Sequence, residues 1–352
     1  MDDHARRSWF EQRTAEHAFG GSALVWRDGG PVFRYWGGLA QRGHRVPVSD
    51  DTRFAVASVT KLPTAIAALR LVEQGRVRLD QPAVELLPAD QWPRSLTPLH
   101  TLHHLLSQTS GIPNYHDDED PTWASFLSCW DRVPSYHVRR PADMLPLFAE
   151  LPAVFLPGER YQYSDANFIL VGLILEAATG RAFSDVIADE VFAPTGMADT
   201  AFEALDADPP RLATGYLAND GPYEAWRSNI FGVTAMGMPD GGMITTPVDL
   251  ARLVDALVGE RLLSSALTAA AISPQGPPSA AIEQYGYGCM LAVADGAVQV
   301  VGHGGSDPGV SALVSHYPAA ATTTVVLCNQ DRGAGAATLE IARAFGLRDP
   351  RG

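Results

Sequence analysis

Residues 58–75 read SVTKLPTAIAALRLVEQG: a hydroxyl, an amine three places on, an apolar helix-forming run and a glycine stop. The pattern predicts a helix over 58–74, ended by Gly75. Pro63 removes one backbone donor, so either the first turns are irregular or the helix starts at Ser58. Positions i and i+3 share a helical face, which brings the Ser58 hydroxyl within hydrogen-bonding reach of the Lys61 amine. Serine is a poor nucleophile until a neighbour takes its proton, and a desolvated lysine is one group able to do so. The helix N-terminus also favours negative charge that develops beside the serine.

The composition singles out the same residue. Of 26 basic residues in the 352, one is a lysine, Lys61, and all the others are arginine. Arginine does not give up its proton at physiological pH, whereas lysine does when its pKa is depressed. A lone lysine in an arginine background therefore marks a place that needs a titratable amine. The chain carries 40 acids, for a formal net charge of −14, which argues against nucleic acid or an anionic membrane as partner. Three cysteines form no disulfide framework, and no Cys-x-x-Cys pair exists. The N-terminus lacks the basic head and apolar run of a signal peptide, and the apolar stretch 166–175 is too short to span a bilayer. The expected location is cytoplasmic.

Outward from residue 58, strands are expected at 22–27 and 31–36 around an Asp28-Gly29-Gly30 turn. Helices are expected at 101–106, 165–179, 183–192 and 246–258, and the segment 113–141 reads as a long loop or lid. Strands return at 285–293, 298–302, 311–317 and 322–328, and a helix over 334–345 closes the chain. The simplest architecture is α+β. One antiparallel sheet is built from both chain ends and flanked by helices, with a mainly helical domain inserted. The sheet domain takes 1–78 and 235–352, the inserted domain takes 79–234, and the active site lies between them.

Two further motifs carry chemistry. Tyr161-Gln162-Tyr163-Ser164-Asp165 precedes an apolar helix. A tyrosine near a lysine can share its proton, provided its pKa falls from about 10, and an adjacent ammonium would lower it. His303-Gly304-Gly305-Ser306 is expected at a strand end, where glycines let a substrate backbone lie close and the Ser306 amide helps hold an oxyanion; a plain glycine-rich turn is the alternative.

Ser58-x-x-Lys61, Tyr163-x-Asp165 and His303-x-Gly305, in that order, resemble the serine β-lactamase and penicillin-binding-protein superfamily. The similarity is greatest to the class C β-lactamase-like branch of esterases, D-amino-acid peptidases and transacylases. His104–Ile112, Leu156–Glu159, Pro194–Met197 and Gly241–Thr246 add family-like text, and the likeness covers about 15–345. It implies a β-lactamase/transpeptidase-like fold and an acyl-enzyme on Ser58. Lys61 and Tyr163 would share the base role, with Tyr163 as acid for the leaving group. The amides of Ser58 and Ser306 would form the oxyanion hole, and His303, Gly304 and Gly305 would line an edge strand. No metal or organic cofactor is implied.

Two departures bear on substrate. The family pattern ends in Asn where this chain has Asp165, a carboxylate that accepts hydrogen bonds but cannot donate them to a substrate. His303 stands where typical β-lactamases have Lys, and a neutral imidazole grips a carboxylate less firmly. The expected substrate is an uncharged small-molecule ester or amide rather than a penicillin. Acyl transfer to an amine or alcohol shares the chemistry up to the second step, and a non-catalytic binding protein on the same fold is the alternative of another class. An α/β-hydrolase is excluded by the lack of Gly-x-Ser-x-Gly. His100, His103 and His104 lack an acidic partner at metal-ligand spacing, and the acidic run 117–120 lacks Ca²⁺-loop spacing. Trp123, Trp130 and Tyr136 either roof an acyl pocket or form the core of a small subdomain.

Overall fold

The computed structural model describes residues 3–117, 120, 122–217 and 226–351. Seven strands form one antiparallel sheet: β1 (Gly21–Arg27), β2 (Gly30–Gly37), β3 (Glu283–Tyr285), β4 (Met290–Ala294), β5 (Ala297–Asp307), β6 (Val310–Tyr317) and β7 (Thr322–Cys328). Their order across the sheet is β2-β1-β7-β6-β5-β4-β3, so the first strand pairs with the last and the sheet is made from both chain ends. Asp28 and Gly29 both adopt positive φ, 51° and 74°, which suits the twist of the β1–β2 hairpin.

Five longer helices cover the sheet and fill the middle of the chain: α1 (Asp3–Ala15), α2 (Lys61–Glu73), α3 (Asp165–Thr179), α4 (Pro247–Val258) and α5 (Ala334–Phe345). Side chains alternate across a strand, and here both faces are covered. Ala23 and Val25 join Phe10 of α1 and Ile341 of α5, while Leu24 and Trp26 join Leu62 of α2 and Leu250 of α4. The α1 helix was not foreseen from sequence. Among the described residues no single helix is long and apolar enough to cross a membrane.

Three local differences from expectation have clear causes. A 3-10 turn, Ala57–Thr60, precedes α2, and Pro63 falls in the helix's first turn, where its missing N–H would have had no intrahelical partner. The expected strand 285–293 is broken between β3 and β4 because Tyr287 N–H donates to the Ala271 carbonyl and Gly288 N–H to that of Leu106, outside the sheet. The expected strand 298–302 runs on to Asp307, so His303-Gly304-Gly305-Ser306 lies within β5. In the segment read as a loop, Trp123–Ser128 is a short helix followed by 3-10 turns at Cys129–Asp131 and Ser135–His137. Two residues of the acidic run, 118 and 119, lie outside the described residues. The three histidines read against a metal have local partners: His104 accepts from the Thr101 N–H as a helix cap, His100 from that of Thr97, and His103 bonds the Tyr287 hydroxyl.

The α3 helix is pinned at Gly172, where an added Cβ would lie 2.1 Å from Pro239 Cγ. That contact sets the loop leading into Asp240 against the helix that starts at Asp165. Gly172→Ala is expected to overpack it and lower the unfolding free energy by about 1–3 kcal/mol, measured by denaturant unfolding. An unchanged midpoint would contradict this contact.

Candidate active site

The Ala57–Thr60 turn places Ser58 half-buried at the wall of a cleft of about 700 Å³. Ala57 is held at φ 45°, a strained value for a residue with a Cβ. The turn is tied down nearby: Thr60 Oγ1 donates to the Ala57 carbonyl at 2.7 Å and accepts the Met243 N–H at 3.0 Å, and Val56 N–H donates to the Met243 carbonyl.

Lys61 is fully buried, and its ammonium donates to three acceptors: Ser58 Oγ at 2.9 Å, Asp165 Oδ1 at 2.5 Å and the Asp240 carbonyl at 2.7 Å. Every Nζ proton thus has a partner, which a buried ammonium requires. Asp165, the first residue of α3, gains further from the helix N-terminus. Burial pushes its pKa up, but Lys61 and then a hydrogen bond from His116 outweigh that and hold it well below the usual carboxylate range. The second oxygen, Oδ2, faces His116 Nε2 at 3.0 Å.

Tyr163 is brought to the same place but not in the expected electrostatic state. The Lys61 ammonium lies over its ring, 5.0 Å from the centroid, rather than at its hydroxyl. The hydroxyl is enclosed without a well-formed hydrogen bond. Burial and then the Asp165 carboxylate push its pKa well above 10, with Ser58 opposing. The expected lowering is therefore corrected: burial disfavours the phenolate, and the Asp165 carboxylate adds to that.

The His303 motif divides. Gly304, Gly305, Ser306 and Asp307 line the cleft, whereas the His303 imidazole is 1% exposed and packs behind Tyr163 instead of lining it. Its Nε2 bonds the Tyr285 hydroxyl at 3.0 Å, beside the Tyr163 ring. Burial and then the Lys61 charge push His303 down to about 3, so it is neutral at pH 7. The expectation that His303 lines a substrate strand is corrected: His303 braces the wall behind Tyr163. Gly305 is the point of closest approach. A Cβ there would sit 2.1 Å from the Val56 carbonyl and 3.1 Å from Ser58 N, whereas one on Gly304 meets only a Leu313 methyl at 3.5 Å.

Four participants escaped the sequence reading: Asn114, Tyr115, His116 and Asp240. Asn114 Oδ1 accepts the Asp165 and Tyr115 N–H groups, and the Tyr115 hydroxyl donates to Asp240 Oδ2 at 2.7 Å. Trp123, Phe126 and Trp130 line the cleft opposite, while Tyr136 is exposed outside it. The cleft also carries six aspartates (Asp117, Asp120, Asp165, Asp208, Asp240 and Asp307) and, among the described residues, no lysine or arginine.

With this geometry in view, the similarities fall into one group. The Beta-lactamase family model matches residues 6–347. The chain belongs to the β-lactamase family. This is a family of serine hydrolases. Esterase EstB of Burkholderia gladioli is 36% identical over 222 residues, which is 62% of this chain and 55% of the esterase. A D-aminopeptidase of Cereibacter sphaeroides is 29% identical over 335 residues, 95% of this chain and 61% of that protein. The chain thus spans little more than half the length of these two relatives. Among solved structures, a penicillin-binding protein from Bacillus halodurans superposes with a TM-score of 0.88 at 35% identity, covering 95% of this chain and 99% of that one.

Asp307 gives this β-lactamase-family site a pH signature. Burial, then the carboxylates of Asp165 and Asp240, push it up to about 7. Its charged form is thus disfavoured in the folded state. That penalty is full above pH 7 and is relieved as pH falls from 7 towards the unfolded carboxylate value of about 4. Asp307→Asn is expected to raise the melting temperature more at about pH 8 than at about pH 5, read by thermal unfolding at both. A larger gain in acid would contradict the assignment.

Proposed function

We propose that the chain is a serine hydrolase that cleaves an ester or amide through an acyl-enzyme on Ser58. The observation that carries this reading is the buried Lys61 ammonium held on Ser58 Oγ at 2.9 Å within a cleft. In its amine form Lys61 takes the Ser58 proton as the Oγ–carbon bond forms and the carbonyl π pair moves onto oxygen. The Ser58 and Ser306 amides would hold that oxyanion, an arrangement helped by the close passage of β5 at Gly305. Tyr163, whose surroundings keep it protonated, gives its proton to the leaving alkoxide or amine as that bond breaks. The phenolate then takes a proton from a water whose oxygen attacks the acyl carbon. The Lys61 ammonium returns the serine's proton to Ser58 Oγ, 2.9 Å away, as the ester bond breaks and the acid leaves.

The cleft supports a substrate without an anionic group near the scissile bond. Six aspartates and, among the described residues, no lysine or arginine in the lining would repel a carboxylate, and the neutral His303 is turned towards Tyr285. The aromatic wall of Trp123, Phe126 and Trp130 gives an apolar group a place to bury. Relatives named for ester and D-amino-peptide substrates agree with this class.

Brief exposure to p-nitrophenyl butyrate, followed by intact-protein mass measurement, tests the reading. Wild type is expected to gain one butyryl group and Ser58→Ala none; a modified Ser58→Ala protein, or an unmodified wild type, would overturn it. Gly305→Ala is expected to slow acylation at least tenfold by displacing the Ser58 turn, and Gly304→Ala to stay within about twofold. Equal effects of the two would remove β5 from the oxyanion argument. Benzylpenicillin hydrolysis as efficient as ester hydrolysis would overturn the substrate class.

A further inference from the structure

His116 comes from a loop distinct from every motif that carries the proposed chemistry, yet it touches the charged centre. Its Nε2 lies 3.0 Å from Asp165 Oδ2 and 3.1 Å from the Asn114 side-chain amide nitrogen. Asn114 Oδ1 is committed to two backbone N–H groups, which fixes its nitrogen towards the imidazole. Of the two neighbours only the carboxylate can accept, so a proton on Nε2 is directed at Asp165. The ring is gripped edge-on by Tyr115 and packed against Phe126, with centroids 5.4 Å and 5.2 Å away. It has little freedom to turn aside.

An Asp at position 165 makes this contact necessary. An amide there would offer one acceptor oxygen, which Lys61 alone could satisfy. A carboxylate offers two, and both need donors in a buried setting. Lys61 satisfies Oδ1 and His116 satisfies Oδ2. Were Oδ2 left bare, the carboxylate would turn to chelate Lys61 with both oxygens and draw the ammonium away from Ser58.

We propose that His116 is a positioning residue of the acylation centre: its Nε2–H holds Asp165 in the orientation that keeps Lys61 on Ser58. The inference rests on the reading of Ser58 and Lys61 as the reacting pair.

The test is a double-mutant cycle with p-nitrophenyl butyrate, in which the acylation burst, steady-state kcat and KM, and the melting temperature are measured. His116→Ala is expected to slow acylation at least ~30-fold with KM within about twofold, since a lost hydrogen bond to charge is strongly felt. His116→Gln places an amide N–H near the same point and is expected to recover the rate to within about fivefold of wild type. In an Asp165→Asn background His116→Ala is expected to cost less than about threefold, because its route to Lys61 is gone. Equal losses in both backgrounds, a Gln variant no better than Ala, or a raised KM with kcat kept would each overturn the proposal. Normal acylation in a folded His116→Ala protein overturns this proposal alone, whereas a wild type that never acquires an adduct on Ser58 overturns the serine reading and this one with it.

Discussion

A primary ammonium buried beyond the reach of water has to be given its acceptors by the protein, and Lys61 is such a group. Its three partners come from three parts of the chain: the 3-10 turn at Ser58, the first residue of α3 at Asp165 and the carbonyl of Asp240. Removing one partner of a buried ion pair costs about 3–5 kcal/mol, a large share of a typical domain's stability. The folded chain is therefore committed to bringing these three segments together. Packing that looks remote, such as Gly172 against Pro239, holds the geometry by fixing the loop before Asp240 against α3.

The second constraint is close backbone approach. The β5 strand passes so near the Ser58 turn that a single Cβ at Gly305 would meet the Val56 carbonyl at 2.1 Å. Strand β5, which lies between β4 and β6 and not at the sheet edge, and the helical layer thus share an atomic boundary at the serine. Ala57 takes its positive φ at that boundary. Strain of this kind persists only where surrounding bonds over-determine it, as the Thr60 and Met243 bonds do here.

What was readable in the sequence follows from which interactions have a residue-type signature. Lys61 was legible because it is the single lysine, and the sheet built from both ends because short apolar and β-branched runs bounded by turn residues recur at both ends of the chain. The end of α3 was legible through its glycine stop, Gly180, and α5 proves to end at a glycine too, Gly346, both left-handed. The Asp240 contact was not, since it uses a backbone carbonyl that any residue supplies. His116 was hidden because its partner lies 49 positions away and no local periodicity connects them. The state of Tyr163 was misjudged for a different reason. Its pKa depends first on burial and then on the Asp165 carboxylate, and only coordinates give these. The break between β3 and β4 likewise depends on amides of Tyr287 and Gly288 that bond to distant carbonyls.

The charge balance of the centre bears on what the cleft can accept. One ammonium serves Asp165, whose pKa it helps hold down, while Asp240 is pushed up to about 6 and Asp307 to about 7. A single cation cannot neutralise three carboxyls, so the surplus appears as retained protons on the two less well partnered. A substrate carboxylate entering this space would raise those pKa values further, with no lysine or arginine among the described lining residues to offset it. A neutral or amine-bearing group meets no such opposition, and protons held on Asp240 and Asp307 can be released as it docks. The carboxylate of Asp165 thus does more than make one hydrogen bond. It fixes the sign of the field in which any acyl group must bind, and the aromatic wall of Trp123, Phe126 and Trp130 then provides for the rest of the molecule.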